Sequence, residues 1–80
     1  MANGSPFDAR PGSAALTPRQ REVLALVASG LSTPDVARQL GITPGTVKTH
    51  LSAIYKLIGA HNRVQAARYY LEQLAPESRA

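Results

Sequence analysis

The chain has 80 residues, enough for one small domain with a thin hydrophobic core. Its hydrophobic content of 44% is that of a folded domain, and the absence of cysteine excludes disulfides, thiolate chemistry and most structural zinc sites. Nine basic against five acidic side chains give a net charge of +4, which suits a polyanionic partner.

Residues 1–15 carry Gly4, Pro6, Pro11 and Gly12 among small residues and read as a flexible arm or linker remnant. Asp8 and Arg10 cancel there, and Glu77 and Arg79 cancel in the tail 76–80, so the positive excess lies between Leu16 and Leu74. No apolar run approaches the length of a membrane span, and the N-terminus lacks the apolar core of a signal peptide. A soluble, cytoplasmic protein is therefore expected.

Residues 16–75 are punctuated as four helices, with no strand-like alternation. The first opens at Thr17 as N-cap, with Pro18 at its first position and Gln20 completing a capping box. Leu24, Val27 and Leu31 share its inner side, and Gly30 ends it. The second starts at Ser32 or Thr33, with Ser32 and Asp35 as a box-like pair and Val36, Ala37 and Leu40 pointing inward. Gly41 suits a left-handed helix terminus, Ile42 can plug the angle between two helices, and Thr43 caps the next helix ahead of Pro44. The third runs from about Pro44 to Ile58 and stops at Gly59. The fourth is capped by Asn62, with Gln65 in the box position, and continues to about Leu74 before Pro76. These features predict an all-α, compact four-helix domain containing a helix-turn-helix, the device that presents one helix to the major groove of double-stranded DNA.

The third helix has two unlike faces. At about 100° per residue, Val47, Leu51, Ile54 and Ile58 form a narrow apolar stripe that must be buried. Opposite lie Gly45, Thr49, Ser52 and Lys56, with Lys48 and Ala53 on the shoulders. This outer face carries no carboxylate, and its short side chains let a helix sink into a groove about 12 Å wide. His50 sits at the border of the stripe as a packed or phosphate-touching residue, and His61 lies in a turn. Neither histidine has neighbours that suggest a metal. No carboxylate pair, nucleophile or phosphate-cradling loop marks an enzyme, and no cofactor is expected.

In the fourth helix, Val64, Ala67, Leu71 and Leu74 form a stripe able to cover the core. Ala66, Tyr69, Tyr70 and Gln73 extend around its side as a candidate surface for a homodimer.

The motifs Leu16-Thr17-Pro18-Arg19-Gln20-Arg21-Glu22-Val23-Leu24, Gly30-Leu31-Ser32, Val36-Ala37, Leu40-Gly41-Ile42, Thr46-Val47-Lys48-Thr49-His50-Leu51, Ile54-Tyr55 and Gly59-Ala60-His61-Asn62-Arg63 follow one another in order. Together they resemble the LuxR-type (GerE-type) helix-turn-helix domain of bacterial transcription regulators. The resemblance implies a third helix in the major groove and a fourth that mediates dimerisation on two-fold-related half-sites. It places Lys48, Thr49 and Ser52 towards bases and nearby phosphates, with His50 close to the backbone. Thr33 and Thr46, near helix N-termini, would donate to phosphates, and Lys56 would help set position. It also implies a regulator, or its effector domain, that has RNA polymerase as a further partner, and an ion pair between Glu22 and Arg63 locking the fourth helix to the first. Gln20, Leu57 and Gly45 depart from the family pattern; the lost lysine at 57 and the glycine at 45 predict weaker DNA affinity than a typical member has. A sigma-factor-like promoter-recognition domain, or a helical protein–protein module using the tyrosines and Leu57, are the alternative readings.

Overall fold

The computed structural model describes residues 16–75, so the expectations for residues 1–15 and 76–80 lie outside the described residues. Helices α1 (Pro18–Ala28), α2 (Thr33–Leu40), α3 (Pro44–Ile58) and α4 (Arg63–Tyr69) follow in order, and α4 runs on into a single π-helical turn, Tyr70–Leu74.

Side-chain caps fix where each helix begins. The Thr17 hydroxyl accepts from the Gln20 N–H at 3.0 Å while the Gln20 amide oxygen accepts from the Thr17 N–H at 2.9 Å. Neutral glutamine thus closes the box without a carboxylate. Ser32 caps α2 by accepting from the Asp35 N–H at 3.2 Å, but the Asp35 carboxylate turns instead to Arg38 at 2.7 Å, so only half of that box forms. Thr43 caps α3 through the Thr46 N–H at 3.2 Å. At α4 the Asn62 side chain accepts from the Gln65 N–H at 2.9 Å, and Gln65 reaches back to the His61 N–H at 2.7 Å, one residue before the expected position.

The turn between α2 and α3 depends on Gly41, whose φ of 70° is left-handed. The Gly41 N–H donates to the Arg38 carbonyl and the Ile42 N–H to the Ala37 carbonyl at 3.0 Å, which satisfies the last carbonyls of α2. That reversal directs half-buried Ile42 against the core and leaves only residues 41–43 between α2 and α3.

The core is built by Leu16, Val23, Leu24 and Val27 from the first helical segment, Val36 and Ala37 from α2, Val47, Leu51 and Ile54 from α3, and Ala66 from α4. No polar or charged side chain is buried among the described residues. Helix α3 packs on both α1 and α2, and α4 lies chiefly on α1. The stripe expected on α3 is the buried one.

Helix α4 is rotated relative to expectation. Ala66 is fully buried, whereas Val64 and Leu71 are 70% and 61% exposed. The sequence reading had Ala66 on a partner-facing side and Val64 and Leu71 over the core; both assignments are corrected. The cause is Arg63, whose guanidinium reaches inward to the Leu31 carbonyl at 2.7 Å and the Thr33 hydroxyl at 3.1 Å. Residues 63, 66 and 70 share one helix face, so anchoring Arg63 sends Ala66 and Tyr70 inward and leaves Val64 and Leu71 outside. The expected Glu22–Arg63 pair is not formed: Glu22 pairs with Arg19 at 3.2 Å along α1. The last turn is wider than the regular helix expected, with the Ala75 N–H donating to the Tyr70 carbonyl five residues back. Ala75 is extended (φ −63°, ψ 144°), the conformation favoured for a residue before proline.

Candidate nucleic-acid interface

Helix α3 offers one exposed surface, because its other side is used by Val47, Leu51 and Ile54, all within the core. Gly45, Thr46, Lys48, Thr49, Ser52 and Lys56 are all exposed. At about 100° per residue, Ser52, Gly45, Lys56 and Thr49 follow one another around a narrow arc, with Lys48 beside it. The structure therefore brings together four of the seven residues singled out on the sequence, Lys48, Thr49, Ser52 and Lys56, while Thr46 is exposed in the first turn of α3 on another side. His50 is half-buried at the edge, as its border position implies. Thr33 belongs to α2 and is half-buried, its hydroxyl oxygen already accepting from Arg63.

The chemistry of each group follows from its partners. The Thr49 hydroxyl donates to the Gly45 carbonyl at 3.1 Å, so it presents lone pairs and a methyl group outward. In that state it suits an amino group on a base edge, or a thymine methyl, better than a phosphate oxygen. Thr46 and Thr43 share a hydroxyl–hydroxyl hydrogen bond of 3.0 Å, which ties Thr46 to the cap of α3. The Thr33 hydroxyl keeps its proton to donate while it accepts from Arg63.

Charge is distributed in keeping with a polyanion. The ion pairs among the described residues are Arg19–Glu22 and Arg38–Asp35, and neither Lys48 nor Lys56 takes part in one. Helix α3 contains no acidic residue at all. Two exposed ammonium groups on short-chained, hydrogen-bonding terrain can approach phosphates without first breaking an internal contact. Among the described residues no cluster of histidine and carboxylate side chains could hold a metal, and no helix is long and apolar enough to cross a membrane. An open cleft between α1 and α2, lined by Glu22, Ala25, Leu26, Gln39 and Leu40, has about 230 Å³.

Comparison with known proteins agrees with this geometry. The sequence pattern of the family described as bacterial regulatory proteins, luxR family, matches residues 14–70. The chain is 46% identical over 54 residues to the Mycobacterium bovis protein Mb0914c, whose name places it among the HTH-type transcriptional regulators; the match covers 68% of this chain and 6% of that protein. It is 46% identical over 52 residues to the two-component response regulator PprB of Pseudomonas aeruginosa, covering 65% of this chain and 19% of that one. With the transcriptional regulatory protein MctR of Rhizobium johnstonii it shares 39% over 61 residues, covering 76% and 28%. The chain thus spans less than a third of the length of each of these relatives.

Proposed function

The chain belongs to the luxR family of bacterial regulatory proteins and is a DNA-binding domain of transcription regulation, and from that premise we propose that α3 reads a specific double-stranded sequence from the major groove. The observation that carries this reading is the exposed, carboxylate-free face of α3, on which Lys48, Thr49, Ser52 and Lys56 lie together. Lys56 and Lys48 neutralise phosphates and set the register, while Thr49, Ser52 and the Lys48 ammonium meet base edges. Thr33 and Thr46 add hydroxyl contacts to the phosphate backbone, and His50 borders it. The domain carries out no catalytic step and needs no cofactor.

Two copies bind two-fold-related half-sites through α4. The surface for this self-contact centres on exposed Val64 and Leu71, seven residues apart and so on one face. Gln73 is exposed near it, whereas Tyr69 and Tyr70 are half-buried and contribute only their rims. Such a regulator works in the cytoplasm, where it meets bacterial DNA and RNA polymerase.

Selection of duplexes from a random pool, followed by salt titration of the best binder, tests the reading. Affinity should fall steeply with salt, by a slope of about 0.9 per neutralised phosphate. Lys48→Ala should weaken specific binding by roughly 1–3 kcal/mol. A chain that binds no duplex even at low salt would sink the proposal and favour a protein–protein module.

A further inference from the structure

Among the described residues, Gly45 is the glycine that the fold does not explain. Gly30, Gly41 and Gly59 have φ values of 101°, 70° and 75°, a backbone region that other residues rarely adopt. Gly45 instead stands in the regular first turn of α3, is exposed, and has room for a side chain: an added Cβ would meet only the Thr43 hydroxyl oxygen, at 3.9 Å. Alanine would fit this backbone and favour the helix. Neither conformation nor packing within the domain calls for a bare Cα here.

The position of that bare Cα is informative. On the helical wheel Gly45 falls between Ser52 and Thr49 on the outward face of α3. Thr49 lies one turn further on and folds its hydroxyl back onto the Gly45 carbonyl at 3.1 Å, which keeps its own side chain low against the helix. Along the line from Ser52 and Thr49 to Gly45 only short side chains project, with the Lys48 chain to one side, so an object resting on Thr49 and Ser52 meets the backbone of residue 45 next.

We infer that Gly45 is a positioning residue for DNA: its missing side chain sets how deeply α3 sits in the groove, and the duplex comes into van der Waals contact with the helix backbone there. This rests on the DNA-binding reading above. A side chain at 45 lifts the first turn of α3 away from the bases, lengthening the contacts that Thr49 and Ser52 make. Stability and affinity are thereby set against each other at one residue. The sequence alone pointed to weaker DNA affinity from this glycine, through a looser helix start; on the present inference the bare Cα instead favours binding, at a cost to the helix.

The test compares Gly45→Ala and Gly45→Leu with the wild-type chain on the selected duplex, with Lys48→Ala as a control. Both helix-favouring variants should melt about a few degrees higher. Affinity should fall roughly tenfold for alanine and further for leucine, with the salt slope unchanged because no charge is altered. Unchanged or tighter binding by Gly45→Ala, while Lys48→Ala binds weakly, would overturn the inference and leave the DNA-binding reading intact. A fall in melting temperature alongside affinity would also overturn it, since the glycine would then serve the fold. If the wild-type chain itself binds no duplex, both readings fail together.

Discussion

Arg63 holds Thr33: one arm of its guanidinium donates to the threonine hydroxyl at 3.1 Å and the other to the Leu31 carbonyl at 2.7 Å. The first residue of α4 is thus fastened to the first residue of α2, thirty positions earlier in the chain. A planar fork can serve two acceptors at once, which a single ammonium group cannot do with the same geometry. This contact fixes the rotation of α4 and orients the Thr33 hydroxyl.

Arg63→Ala leaves the Leu31 carbonyl without that partner at a half-buried site and should cost about 1–3 kcal/mol. Thermal unfolding followed by circular dichroism should show a melting temperature lower by about 5 °C or more. Arg63→Lys should recover only part of the loss. Glu22→Ala breaks an exposed pair within α1 and should change stability by less than about 1 kcal/mol. Equal losses from Arg63→Ala and Glu22→Ala would contradict the assignment of the anchor.

Thr43 caps the helix that carries the interface, and its hydroxyl also meets Thr46. Thr43→Ala should destabilise the domain by about 0.5–2 kcal/mol. Amide exchange should quicken first in the opening turn of α3, before any change in α1. Thr43→Ser, which restores the acceptor, should return most of the protection.

Val64 and Leu71 have no role in the core, being 70% and 61% exposed. The double change Val64→Ser with Leu71→Ser should therefore change the unfolding free energy by less than about 0.5 kcal/mol. On a palindromic duplex the wild type should load two copies cooperatively, and the double variant should lose about tenfold or more of that cooperativity. Sedimentation with the duplex reads this directly. Retained cooperativity would move the self-contact away from α4.

Helix boundaries were legible because each is written locally. Thr17, Ser32, Thr43 and Asn62 act as caps within three residues of their partners, and the glycines stop helices by their own backbone freedom. The two faces of α3 were legible for the same reason, since one period separates a buried stripe from an open one. Helix α4 was not. Hydrophobicity favoured Val64 and Leu71 as its inner side, but its rotation is set by Arg63 reaching a backbone carbonyl 32 positions away. Backbone acceptors leave no mark on a sequence, so the opposite charge of Glu22 was the visible candidate and the wrong one. The occupation of Thr33 by Arg63 was hidden likewise, whereas the exposed set Lys48, Thr49, Ser52 and Lys56 needed nothing beyond helical spacing.

The connections 29–32, 41–43 and 59–62 are all short. Helices α1, α2 and α3 dock on chain neighbours with little loop-closure entropy in the way, whereas α4 docks on α1 and reaches Leu31 32 positions away. Assembly should therefore be rapid, on the order of milliseconds or less. Quick reclosing shortens the time for which a thermally opened domain shows its aliphatic interior to other molecules.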